Sequence, residues 1–143
     1  MKVAIFGGTG FVGSYILNEL MDNDFLPKVL VREGSESKLV GDCEIVYGDI
    51  ADKKSVKETI RDTKAIIYNI GIIREFTSKG ITYTKLHYEG VRLCIQMAQE
   101  MNVNRFILMS ANGVKANGTG YQTSKYKAEQ ELQASNLDWT IFR

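Results

Sequence analysis

The chain has 143 residues, 18 Lys and Arg against 17 Asp and Glu, and is 44% hydrophobic and 24% charged. That is ordinary usage for one soluble domain spanning residues 1–143, long enough for one core and too short for a second. A net charge of +1 supplies no basic stripe for nucleic acid, and the longest apolar run, Ala65 to Ile73, is interrupted by Asn69 and too short to span a bilayer.

The first strand, near Lys2–Phe6, starts directly after Met1 and leaves no space for a signal or transit peptide. With only Cys43 and Cys94, both among apolar neighbours, no disulfide framework is expected and the protein reads as cytoplasmic. The run Val3-Ala4-Ile5-Phe6 suits a strand buried on both faces of a parallel sheet, and Gly7-Gly8-Thr9-Gly10-Phe11-Val12-Gly13 then follows. Gly7 permits a sharp turn, Gly10 leaves room for a pyrophosphate, and Gly13 lets helix pack on strand. Phe11, Ile16, Leu17 and Leu20 recur at helical spacing, so a helix near Phe11–Met21 presents its N-terminal amides, around Gly10, Phe11 and Val12, to an anion. The pattern is that of a dinucleotide-binding βα unit.

The second strand, near Lys28–Arg32, ends where such a sheet meets the adenosine ribose. Arg32 there supplies a fork of donors for a 2′-phosphate and argues for NADP, with Ser35, Ser37 and Lys38 as further phosphate ligands. Glu33 follows at once; a register shifted by one residue puts a carboxylate at the ribose and favours NAD instead. After a third strand near Cys43–Tyr47, Asp49 is placed to accept from the adenine amino group and Ile50 to lie against the ring. Asp49 reads equally as a turn or helix-capping residue. A helix near Lys53–Arg61, capped by Asp52, carries Lys53, Lys54 and Lys57 on a solvated face.

A fourth strand, Ala65–Ile70, closes at the crevice with Asn69-Ile70-Gly71, where a glycine lets backbone pass close to a dinucleotide. A single long helix, Thr82–Met101, follows; on it the lone His87 reads as a structural residue on the helix surface or facing the crevice, since one histidine builds no usual metal site. The fifth strand, Arg105–Met109, leads to Ser110, which reads either as a hydrogen-bond donor to a substrate carbonyl or as a turn cap. A helix near Tyr121–Ser135 and a strand near Trp139–Phe142 complete the chain. The alternation of strand and helix specifies an α/β doubly wound parallel sheet, the Rossmann fold, and right-handed crossovers give the strand order 3-2-1-4-5-6. The irregular stretches Gly71–Ile81 and Ser110–Gly120 follow strand C-termini and form the walls of the expected site.

Any chemistry lies in Tyr121-Gln122-Thr123-Ser124-Lys125. Spacing of four puts Tyr121 and Lys125 on one helix face, where an ammonium favours the phenolate and makes a tyrosine a usable acid or base. Lys125 is also placed to hold the nicotinamide ribose.

These motifs, together with Tyr88-Glu89-Gly90, the run Arg105 to Ala111 and Leu137 to Arg143, resemble the short-chain dehydrogenase/reductase superfamily over the whole chain. The resemblance is to its atypical, extended-like members, similar to the nucleotide-binding accessory subunit of respiratory complex I and to NmrA-like proteins. It implies NAD(P) binding and, for Tyr121 and Lys125, the acid/base pair of hydride transfer at a carbonyl or hydroxyl. Two departures stand out. Asn69-Ile70-Gly71 replaces the Asn-Asn-Ala-Gly frequent in catalytic relatives, and Ala111-Asn112-Gly113 brings no second serine after Ser110. In relatives the motif ending at Arg143 is followed by a region supplying most of the substrate pocket, so the small-molecule substrate's half of the site is expected to be absent here. A sheet bare at its sixth strand is then expected to self-associate. Three functions fit: an NADP(H)-dependent oxidoreductase domain, a non-catalytic nucleotide-binding sensor or assembly subunit, and a nucleotide-sugar epimerase or dehydratase.

Overall fold

The computed structural model describes residues 1–143. Six strands form one sheet in the order β3-β2-β1-β4-β5-β6, each pair parallel, which is the doubly wound order expected from the sequence. They are β1 (Lys2–Phe6), β2 (Leu26–Val31), β3 (Glu44–Tyr47), β4 (Ala65–Tyr68), β5 (Arg105–Met109) and β6 (Asp138–Phe142). The helices are α1 (Phe11–Asp22), α2 (Lys53–Ile60), α3 (Gly90–Glu100) and α4 (Gly120–Gln133). None is long and apolar enough to cross a membrane.

Alternation along the strands builds two cores. Ala4, Phe6, Leu30, Ile66, Tyr68, Phe106 and Leu108 face α2, α3 and α4 in the larger one, while Val3, Ile5, Val29 and Val31 face Leu17 of α1 in the smaller. Fully burying such side chains stabilises by about 1.5–3 kcal/mol each before the cost of ordering is counted. Returning helices turn into the sheet through Asp24, Asp62 and Asn102, which take left-handed φ of 59°, 62° and 57°. Short amide and carboxylate side chains tolerate that conformation best after glycine. Cys94 is fully buried and Cys43 half-buried, both as free thiols.

Most element ends shift by one or two residues from the sequence reading, and differences in three elements bear on the site, each for a local reason. β2 begins at Leu26, whose amide donates to the Met1 carbonyl at 3.0 Å, and ends at Val31, so Arg32 lies beyond the strand. β4 stops at Tyr68: the Asn69 amide still donates to the Phe6 carbonyl at 2.8 Å, after which the chain leaves the sheet. The expected single helix is instead a π-helical segment, Thr84–Glu89, running into α3. The Tyr68 hydroxyl donates to the Leu86 carbonyl at 2.6 Å, and that carbonyl is the one a regular α-helix would offer to the Gly90 amide. An inserted side chain at this point widens the turn. Gly90 is required beneath it, because a Cβ there would run into the Tyr68 hydroxyl and lie 2.8 Å from Ile50 Cγ1.

The entry to α1 is as tightly constrained. Gly7 has φ +98°, and a Cβ on it would sit 2.8–2.9 Å from the Asn69–Ile70 backbone; a Cβ on Gly13 would strike the carbonyl oxygen of Gly7 and lie 2.7 Å from that of Gly8. Gly13→Ala therefore has to displace α1 from β1. Chemical denaturation of that variant is expected to show a loss of about 2–4 kcal/mol; a loss under about 0.5 kcal/mol would contradict this packing.

Candidate functional site

The C-terminal ends of the parallel strands lie along one edge of the sheet. β1 and β4 are neighbours there, but α1 leaves toward the smaller core whereas the π segment and α3 after β4 pack on the larger. The crevice opened by that divergence is where ligands bind in open α/β sheets. The loop Gly7–Gly13 lines it. Gly10 caps α1 with φ −85° and ψ 172°, offers no side-chain cap, and a Cβ on it would meet only the Gly7 carbonyl oxygen at 3.6 Å. Unlike Gly7 and Gly13, Gly10 is required by nothing in the protein. The amides of Phe11, Val12 and Gly13 find no acceptor within the chain, the Thr9 hydroxyl makes no hydrogen bond, and no acidic residue stands in the first turn. The result is a cradle of free donors at a helix N-terminus, suited to a phosphate or pyrophosphate.

Beside it, Arg32 is exposed and has no ion-pair partner; the adjacent Glu33 is exposed as well. Asp49 accepts from the Ala51 amide at 2.8 Å through Oδ1, a turn contact that leaves its other oxygen free. Ile50 is 5% exposed and belongs to the larger core. Asp52 caps α2 by accepting from the Lys54 and Ser55 amides.

The opposite side of the crevice gathers Asn69, Ile70 and Gly71 after β4, Ser110 after β5, and the first turns of α4. A reciprocal capping box between Thr119 and Gln122 starts α4 one residue earlier than the sequence reading, and Gln122 also donates to the Gly113 carbonyl at 3.0 Å. This places Tyr121 in the first turn and Lys125 one turn on, with Lys125 Nζ 6.0 Å from the Tyr121 ring centre. Lys125 is buried, donates to the Met109 carbonyl at 3.1 Å, and stands where a Cβ on Gly71 would be 3.5 Å from its Nζ. The Ser110 hydroxyl, next in sequence, is buried and has no hydrogen-bond partner. It makes no capping contact.

The cluster also contains residues to which the sequence reading assigns no part in the chemistry: His87, read there as structural, with Tyr83, Glu129 and Arg143. His87 is not on a helix surface: it is 1% exposed, bonded to the Ile72 amide and the Ser124 hydroxyl, stacked on Tyr83 at 5.4 Å and met edge-on by Tyr121 at 5.2 Å. Its burial continues the inner stripe of α3, since Val91, Cys94 and Ala98 follow it at helical spacing. Glu129, 1% exposed, holds Arg143 through two contacts, Nε to Oε1 at 3.2 Å and Nη2 to Oε2 at 2.8 Å. One signal was available: Ser124, Lys125 and Glu129 occupy the buried stripe of α4, where helical spacing otherwise calls for apolar residues.

Burial governs the charges. It depresses the Lys125 ammonium to about 8, against an opposing pull from Glu129, and lowers the His87 imidazolium to about 4 with help from Lys125. At neutral pH the site therefore holds a neutral imidazole and a cation close to titration. No group of three His, Cys, Asp or Glu side chains is placed to hold a metal.

Residues 7–143 match the NAD(P)H-binding family model. Among curated proteins, the chain is 27% identical over 144 residues to a ceramide reductase of Caulobacter vibrioides, covering 99% of this chain and 44% of that one. It is 25% identical over 146 residues to the mitochondrial NADH-ubiquinone oxidoreductase 40 kDa subunit of Neurospora crassa, covering 97% and 38%. The chain thus spans less than half the length of these relatives. A solved Bacillus halodurans structure assigned to the NAD-dependent epimerases/dehydratases superposes with a TM-score of 0.85 at 25% identity, covering all of this chain and 69% of that one. With the parallel sheet, the glycine cradle and a match over nearly the whole chain, the protein belongs to the NAD(P)H-binding family of short-chain dehydrogenase/reductase and epimerase-like folds.

Proposed function

We propose that this chain is the cofactor-binding part of an oxidoreductase that transfers hydride at a carbonyl or hydroxyl carbon, prefers NADP(H), and uses Tyr121 as acid/base. The observation that carries the reading is Lys125: a buried ammonium fixed between the ends of β4 and β5, one turn from Tyr121, with an unpaired Ser110 hydroxyl beside it. A bound nicotinamide supplies or accepts the hydride. In the reducing direction the Tyr121 hydroxyl gives its proton to the substrate oxygen, Ser110 donates a hydrogen bond to that oxygen, and the Lys125 charge favours the phenolate left behind. Gly10 and the amides of Phe11 and Val12 receive the pyrophosphate, with Gly7, Thr9 and Gly13 shaping the loop. Asn69, Ile70 and Gly71 line the nicotinamide side, and Asp49 and Ile50 border the adenine. The unpaired Arg32 guanidinium meets the 2′-phosphate. Substrate recognition belongs to the whole protein, and the similarity to a reductase supports carbonyl reduction.

A second reading, a nucleotide-binding subunit without turnover, is supported by the similarity to the 40 kDa subunit and by the commitment of Lys125 Nζ to the Met109 carbonyl. Tyr121→Phe separates the two. On the first reading it lowers turnover of carbonyl substrates by about 100-fold or more in the whole protein. Cofactor affinity stays within about twofold. Unchanged turnover supports the second.

Calorimetric titration tests the cofactor assignment. NADPH is expected to bind more tightly than NADH, Arg32→Ala to weaken NADPH by about 10- to 100-fold while leaving NADH unchanged, and tighter binding of NADH by the parent protein would favour NAD through Glu33. Gly10→Ala is expected to weaken both by about tenfold while changing stability by less than about 1 kcal/mol, because only the ligand needs that space.

A cation buried for function should cost stability. The Lys125 amine titrates at about 8 folded, below its ordinary value of 10.5, so between those values the unfolded chain binds more protons and stability rises with pH. Below pH 8 the full penalty is present. Lys125→Met should therefore be more stable at pH 7 by on the order of 2 kcal/mol and should lose the rise between pH 8 and 10.5. A variant less stable than the parent at pH 7 would contradict this.

A further inference from the structure

One polar chain crosses the site and is not used by the acid/base pair. The Ile72 amide, just after β4, donates to His87 Nε2 at 3.0 Å. A ring nitrogen that accepts carries no proton, so in the neutral imidazole the proton sits on Nδ1. Nδ1–H then donates to Ser124 Oγ at 3.0 Å, and Ser124 Oγ in turn donates to the Tyr121 carbonyl at 3.0 Å. Each member has one role and the direction is fixed from end to end.

The groups around the ring favour this arrangement. Lys125 of α4 is the cation facing it, Tyr83 stacks on one side of it and Tyr121 closes against it; none of these is a carboxylate that would hold a second proton on the imidazole. A Cβ on Gly71 would lie 4.0 Å from His87 Nε2 and 3.5 Å from Lys125 Nζ, so the loop after β4, the imidazole and the ammonium share one small volume.

We propose that His87 is a positioning residue for the nicotinamide side of the site: as the Nδ1–H tautomer it ties the Gly71–Ile72 backbone to the α4 turn bearing Tyr121 and Lys125, so that the loop wall and the acid/base pair are set as one unit. This rests on the dinucleotide reading above. The adenosine half lies across the crevice, at the glycine loop, Arg32 and Asp49, and shares no link of the chain. Breaking the chain should therefore weaken contacts to the nicotinamide half alone.

The test compares, for parent and variants, affinity for the preferred one of NADH and NADPH with affinity for the matching ADP-ribose or 2′-phospho-ADP-ribose, which lacks the nicotinamide. His87→Phe keeps a ring in the same space but orphans the Ile72 amide and removes the donor to Ser124 Oγ, whose own bond to the Tyr121 carbonyl remains. It is expected to weaken the whole cofactor by about tenfold and the ADP-ribose probe by less than about twofold. His87→Gln, which retains an acceptor for the Ile72 amide and a donor for Ser124 Oγ, should recover most of the difference. Ser124→Ala removes the second link without disturbing the ring stack and should give the same selective loss, so a poorly folded His87→Phe does not end the test. Nitrogen NMR of the imidazole should show Nδ1 protonated and Nε2 bare between pH 5 and 8. Equal weakening of both ligands, no weakening of either, or the opposite tautomer overturns the role of His87 while leaving dinucleotide binding in place. Failure of the parent protein to bind any of the probes overturns the dinucleotide reading and this one with it.

Discussion

The rest of the molecule depends on the close approach of the β1 turn to the end of β4. Gly7 turns with positive φ against the Asn69–Ile70 backbone, and Gly13 brings the first turn of α1 onto the Gly7 and Gly8 carbonyls. A side chain at either position would push α1 from the sheet or part β1 from β4. Because these strands are neighbours with helices on opposite faces, the same contact that closes the smaller core opens the crevice. Close packing on one side of the loop leaves the amides of Phe11 and Val12 on the other without an acceptor in the chain.

Across the crevice, Tyr68 links fold and site. Its ring packs on Phe6 at 6.0 Å in the larger core, and its hydroxyl captures the Leu86 carbonyl and widens the following helix into a π turn. Within that turn His87 lies on the buried face, between the Ile72 amide on one side and Ser124 on the other. A buried phenol that needs an acceptor thus sets the helical geometry nearly twenty residues downstream.

The electrostatics follow from burial rather than from net charge. Lys125 and Glu129 lie one turn apart on the inner face of α4, and Arg143, at the end of β6, neutralises the carboxylate with a two-point contact. With Glu129 so occupied, Lys125 keeps only the Met109 carbonyl as a direct partner, and desolvation prevails over the attraction of Glu129.

The sequence alone determined the strands, their order and the placement of the glycine loop, because these rest on local patterns: apolar runs buried on both faces, helical spacing after the loop, and crossovers of one hand. It also brought Tyr121 and Lys125 onto one face, since i to i+4 spacing is a property of any helix. It missed the ends of β2 and β4 by one or two residues, where a single backbone hydrogen bond decides whether a residue still belongs to the sheet. It missed the π turn, and it left His87 open between the helix surface and the crevice. Only the tertiary structure decided the π turn, because it depends on a hydroxyl from β4 reaching a carbonyl far along the chain, and long-range hydrogen bonds leave no period in the sequence. The separate jobs of the three glycines were legible from the spacing of the motif, and the tertiary structure supplied the contacts behind them: Gly7 and Gly13 are held by packing against backbone within the protein, whereas Gly10 is not.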